Sequence, residues 1–193
     1  MADRMFNELD YTYDQIGLSL VIDPATGIQQ FAFHEDSIVV DIARAAGGSG
    51  KYEEVKVAYA IFYGPECTYN EAAPLLPTFD QNPQVAELVG TLIVLKTLPT
   101  IHNLPKINTI IIKTSDTPRN NGFHDHITGT IWSWAAKEYL NSKKKPVGFG
   151  ELYKEVHEKL LELNKQQIAV KFWKVDKENN AKVEDMARRA LKA

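Results

Sequence analysis

Apolar residues along this chain recur with two rhythms, one of period two and one of three to four, and the two alternate from end to end. The runs Leu18 to Ile22 and Ile28 to Phe33 flank Asp23-Pro24-Ala25-Thr26-Gly27. Pro24 and Gly27 supply turn dihedrals there, so the pattern predicts strand, turn and strand. Ile38-Val39-Val40 is a β-branched run ending in Asp41, ahead of a glycine-rich turn at Gly47-Gly48-Ser49-Gly50, which places a strand over 37–42. From 55 to 63, Val55, Val57, Tyr59, Ile61 and Tyr63 alternate with Lys56, Ala58, Ala60 and Phe62 until Gly64-Pro65 closes the strand. A further short strand is expected near Tyr69.

The second half is longer in period. Val85, Leu88, Val89, Leu92 and Ile93 recur at helical spacing between Pro83 and Leu98, with proline suited to the first turn. Ile107 to Lys113 is almost continuously β-branched, the pattern of a central parallel strand buried on both faces. A helical stretch around Trp132 and Trp134, a loop at Ser142 to Pro146 and a helix over 148–163 follow. A strand over 168–174 and a helix over 182–191, carrying Val183, Met186, Ala187 and Ala190, complete the chain. Hairpins followed by alternating helices and strands describe an α/β fold, a mixed sheet with helices on its faces.

Length and composition fit one domain: 193 residues, 44% hydrophobic and 24% charged. The pattern changes near residue 36, so 1–36 reads as an N-terminal extension, a hairpin or arm, and 37–193 as the domain. The formal charge of -3 gives no global attraction to phosphate, and any nucleic-acid contact must come from a local basic face. Cys67, the single cysteine, excludes an intramolecular disulfide and a multi-cysteine metal cluster, and reads as a buried small hydrophobe. No apolar run approaches membrane length and the start has no apolar signal region, so the expectation is an intracellular protein, cytoplasmic or nuclear, without a membrane partner.

Candidate chemistry gathers at strand and helix ends. Asp41 ends one strand, Thr114-Ser115-Asp116 ends the strand expected beside it, Glu87 lies in the opening turns of the first long helix, and Glu184-Asp185 opens the last. Ligands tend to bind in the crevice beyond the carboxyl ends of such strands. Carboxylates gathered there repel unless cations neutralise them, and oxygen-rich sets suit Mg²⁺ or Mn²⁺.

These blocks, in this order, resemble the ribonuclease H family, particularly its fungal-type sequences. Val39-Val40-Asp41-Ile42-Ala43 is similar to the family's strand ending in Asp-Gly-Ser or Asp-Gly-Ala, and Tyr59 to Pro65 to its second strand. Gln81-Asn82-Pro83-Gln84-Val85-Ala86-Glu87-Leu88 resembles the helix start that carries the second acid. Thr114-Ser115-Asp116 falls where the family has Thr-Asp-Ser, with Asn121-Gly122 where that block ends. Phe172 to Asn180 and Val183-Glu184-Asp185-Met186-Ala187 resemble its last strand, loop and helix start.

The resemblance implies a five-stranded mixed sheet flanked by helices, and two-metal hydrolysis of the RNA strand of an RNA/DNA hybrid with Mg²⁺ or Mn²⁺ as cofactor. It places Asp41, Glu87, Ser115 and Glu184 at the four catalytic positions, with Asp41, Glu87, Asp116 and Glu184 as candidate metal ligands. Asn82, Gln84 and Asn121 fall where the family contacts the sugar-phosphate backbone. Lys143-Lys144-Lys145 is a candidate phosphate grip or a solvated loop.

Departures from the family pattern fall on the chemistry. Ser115 is neutral where the third acid belongs, Glu184 replaces an aspartate, Ile42 replaces a glycine, and Val175 to Asn180 lacks the histidine found in many members. On that basis the chain is expected to bind RNA/DNA hybrid or structured RNA with impaired or lost hydrolysis. An active enzyme with a shifted metal site, using Asp116 or Asp185, and a protein-interaction scaffold are the alternatives. Ser115→Asp with Glu184→Asp is the change that would rebuild the four-acid set. His124-Asp125-His126 is expected in a solvent-facing loop, and Trp132, Trp134 and Trp173 in the core or an interface.

Overall fold

The β-branched runs form the centre of a mixed sheet in the computed structural model, which describes residues 3–10, 18–48, 55–101, 106–115 and 122–192. Its strands are β1 (Leu20–Ile22), β2 (Gln29–Phe31), β3 (His34–Gly47), β4 (Lys56–Phe62), β5 (Glu71–Pro74), β6 (Thr109–Ser115) and β7 (Ala169–Val175). The helices are α1 (Pro83–Thr97), α2 (Phe123–Asp125), α3 (Ile131–Ala135), α4 (Gly150–Lys165) and α5 (Ala181–Ala190), with one π turn at His126–Thr130 between α2 and α3.

β3 organises the sheet. It runs antiparallel to β4 from Asp41↔Phe62 to Gly47↔Lys56, and parallel to β6 from Ser37↔Thr109 to Ile42↔Thr114. β6 is in turn parallel to β7. Alternation then sorts the side chains. Val40, Ile42, Tyr59, Ile61, Ile110 and Ile112 pack against α1 and α4 in the main core, while Ala43, Ala45, Ala60 and Phe62 pack beneath Val183 and Ala187 of α5. Gly90 of α1 is the contact point for the unexpected isoleucine: a methyl group there would lie 3.1 Å from Ile42 Cγ2. A bulky strand residue faces a helix residue without a side chain.

Three expectations change. The sheet has seven strands rather than five, because β1 and β2 of the extension pair with each other and β2 pairs with the first part of β3. The extension also reaches the β7 side, where Phe6 N–H donates to Phe172 O at 3.0 Å and Phe172 N–H to Arg4 O at 2.7 Å. Asp41 does not end its strand, since β3 continues to Gly47. Ala43 and Ala45 have little intrinsic strand preference, but small residues are what the close approach of α5 requires. His124-Asp125-His126 is helical rather than a solvent-facing loop, with His124 buried and its Nε2 donating to Phe172 O at 3.2 Å. Phe123, Ile127 and Ile131, spaced four apart and all buried, drive that segment into the core. No helix of the described residues is long and apolar enough to cross a membrane.

Candidate carboxylate site and nucleic-acid interface

Asp41 sits mid-strand between Val40 and Ile42, which point to the α1 side, so its carboxylate lies on the α5 side with Ala43. Its cross-strand neighbour in β6 is Lys113, whose Nζ approaches Asp41 Oδ1 at 3.1 Å. Both side chains are about nine-tenths buried. Burial pushes the Asp41 carboxyl above its ordinary range, against the opposing pull of Lys113. Lys113 also donates to the backbone oxygen of Asn179, at 3.3 Å.

Glu87 is positioned by the start of α1, where Asn82 caps the helix and Pro83 opens it. Three residues beyond Asp41, Arg44 takes the opposite side of β3, with Ile42, and its Nε meets Glu87 Oε2 at 3.1 Å. Glu184, in the first turn of α5, accepts a hydrogen bond from Ser115 Oγ at 2.5 Å and faces Lys177 Nζ at 3.4 Å. Asn180 ties this corner together, its Nδ2 donating to Ile42 O at 2.9 Å and to Ser115 Oγ at 3.5 Å.

Each of the three candidate acids therefore has a basic side chain of this chain against it. Two divalent ions require carboxylates that converge on shared positions. Among the described residues no group of three His, Cys, Asp or Glu is placed to hold a metal ion, so these residues do not fit a two-ion site. Asp116 and Asn121 lie outside the described residues. Asp185 pairs with Arg189 one turn along α5. The residues that sequence reasoning missed are Arg44, Lys113, Lys177 and Asn180. Lys113 alone carried a signal: a lysine at the end of a continuously buried strand needs a buried acid.

No family model and no curated protein matches the chain. Solved structures do. A foamy viral protease-reverse transcriptase in complex with RNA/DNA hybrid aligns at TM-score 0.54 and 17% identity, covering 79% of this chain and 19% of that one. The RNase H domain of PFV, a foamy virus, aligns at TM-score 0.55 and 20% identity, covering 79% and 92%. LC9-RNase H1, described as a type 1 RNase H with the type 2 active-site motif, aligns at TM-score 0.56 and 13% identity, covering 80% and 71%. This chain has the ribonuclease H fold.

On that ribonuclease H fold, the candidate contacts to nucleic acid separate into two groups. The amides are already engaged. Asn82 Oδ1 accepts from Gln84 N–H at 2.8 Å, while Gln84 Nε2 donates to Tyr153 Oη at 2.8 Å and lies 3.1 Å from His126 Nδ1. These side chains cap and brace the α1 start and are half-buried.

The lysines are the opposite case. Asn141 Oδ1 accepts the backbone N–H groups of Lys143 at 2.8 Å and Lys145 at 3.1 Å, fixing a tight turn. Lys143, Lys144 and Lys145 are exposed on it, and none has an ion-pair partner among the described residues. Trp132 and Trp134 pack partly buried against the main core, and Trp173 lies between Phe6 and Phe31 with ring centroids at 4.7 and 6.1 Å.

Proposed function

We propose that this chain is a ribonuclease H-like nucleic-acid-binding domain that engages RNA/DNA hybrid or structured RNA and hydrolyses it weakly or not at all. The observation that carries the reading is the pairing of Asp41 with Lys113, Glu87 with Arg44, and Glu184 with Lys177 and Ser115. Lysine and arginine supply the positive charge that these buried carboxylates need, but they offer no vacant coordination position for an attacking water. Binding in this reading requires no Mg²⁺ or Mn²⁺ cofactor.

Two further features support the binding half. A similar foamy viral chain is described in complex with RNA/DNA hybrid. The lysine turn places three free cations on an ordered backbone, which suits phosphate contacts that position a duplex without reading its sequence. Replacing Lys143, Lys144 and Lys145 together with alanine should weaken hybrid binding. It should also flatten the plot of log affinity against log salt by about 2 to 3. Fluorescence anisotropy over a salt series measures both. An unchanged slope would remove the turn from the interface, and no affinity of the wild type for hybrid or for double- or single-stranded nucleic acid at low salt would leave the scaffold alternative.

A further inference from the structure

The N-terminal arm carries a buried arginine with no acid to meet it. The backbone of Arg4 is fixed on the edge of β7, where Phe172 N–H donates to Arg4 O at 2.7 Å and Met5 bridges to Phe172. Its side chain turns inward and is 3% exposed. The guanidinium lies 4.2 Å from the centroid of the Trp132 ring, and its Nη1 donates one long hydrogen bond, to Ile127 O at 3.4 Å. Among the described residues no carboxylate pairs with it. Asp3 beside it is engaged elsewhere, accepting from Met5 N–H at 3.0 Å and facing Lys171 Nζ at 3.4 Å.

A buried cation without a counter-charge is costly, and each buried donor without an acceptor adds to the cost. Both conditions meet here. Trp132 Nε1 and His157 Nε2 are buried with no hydrogen-bond partner, and the two rings touch edge to face with centroids 4.8 Å apart. The electrostatics agree with a dry, positive surrounding. Burial pushes the Arg4 guanidinium down to about 10, and burial first and the Arg4 charge second push His157 down to about 4.

Arg4 and Trp132 line one small cavity of about 30 Å³, between the arm, α3, the later turns of α4 and the start of β7. Leu160, Leu161 and Val170 supply apolar walls. Guanidinium and indole are donors only, so the polar part of the lining shared by these two residues calls for an acceptor, and the charge calls for a negative one. A volume of this size admits a water or a monatomic ion and is too small for phosphate. Water would satisfy the indole N–H but leave the guanidinium charge unanswered.

We propose that this cavity binds a small monovalent anion, chloride, held by Arg4 and the indole N–H of Trp132. The bound ion fastens the N-terminal arm to α3 and α4. The site is independent of the paired carboxylates and of nucleic-acid binding.

Melting temperatures of the full chain, freed of nucleic acid, in sodium chloride and in sodium gluconate at equal ionic strength test this. Chloride at ten times its half-saturating concentration should raise the melting temperature by about 3 to 6 °C over gluconate, and the rise should saturate. Crystals soaked in bromide should show one ordered bromide in contact with Arg4 and Trp132 Nε1. Arg4→Met, which keeps the length of the side chain and removes its charge, should abolish the chloride effect. Trp132→Phe keeps a ring in the core and loses only the indole donor, and should raise the half-saturating chloride concentration by at least about tenfold. Lys171→Met, which removes the other base at the arm, should leave the effect as in the wild type. The proposal is overturned if gluconate or phosphate stabilises as well as chloride, if the rise does not saturate, if bromide does not occupy the cavity, or if Trp132→Phe responds to chloride like the wild type.

Discussion

Lys113→Met should lower the unfolding free energy by about 3 to 5 kcal/mol, the cost of leaving one member of a buried ion pair without its partner. Asp41 is the group left behind. Its Oδ1 lies 3.1 Å from Lys113 Nζ, both side chains are buried, and burial already pushes the Asp41 carboxyl upward even with the lysine in place. Methionine retains most of the packing volume of the lysine stem, so the loss reports the missing charge rather than a cavity. Adding Asp41→Asn to Lys113→Met should return stability to within about 1 to 2 kcal/mol of the wild type, since the buried charge disappears with its partner. Urea unfolding of the four proteins measures the cycle. Equal losses in the single and double variants would mean that Lys113 acts through Asn179 and Trp173, which it also contacts, and not as the cation for Asp41.

Ser115→Asp should cost roughly 2 to 4 kcal/mol, because it sets a second carboxylate where Ser115 Oγ now donates to Glu184 at 2.5 Å. On the sequence alone this change, combined with Glu184→Asp, rebuilds a four-acid set. The ion pairs alter that expectation. Glu87 remains held by Arg44, and Asp41 by Lys113, so the new carboxylate finds no converging partners. Ser115→Asp with Glu184→Asp should therefore stay inactive on a labelled hybrid in Mg²⁺ or Mn²⁺, and millimolar Mg²⁺ should recover little of its lost stability. Stabilisation by metal follows binding to the folded state, so a large rise in melting temperature with Mg²⁺ would show that the acids do converge and that the basic partners give way.

Residue by residue, the strands over 37–42, 55–63, 107–113 and 168–174 were legible because they are long runs of β-branched or alternating apolar residues. Their pairing followed from one buried, continuously apolar strand that demanded parallel neighbours. The continuation of β3 through Ala43-Arg44-Ala45-Ala46 was not legible. Nothing local favours a strand there, and the tertiary approach of α5 decides it. The π turn at His126–Thr130 left no pattern of its own, and the apolar spacing around it was read only from Trp132 onward.

At the site, Asp41, Ser115 and Glu184 were placed by resemblance, and the structure brings Ser115 and Glu184 into contact. What a single sequence could not disclose is which base meets which acid. Arg44 and Glu87 are separated by β4 and β5, and Lys113 and Asp41 by those strands and α1. Pairings of that range depend on the register of β3 against β6 and on the seating of α1 over the sheet, and neither leaves a local mark.

Cutting and binding measured together on one labelled RNA/DNA hybrid, with wild-type protein in Mg²⁺ and then in Mn²⁺, test the central claim most directly. The account predicts a salt-sensitive complex in which the RNA strand stays intact at protein concentrations that saturate binding. Efficient metal-dependent cleavage by the wild type, abolished by Asp41→Asn or Glu87→Gln, would contradict it.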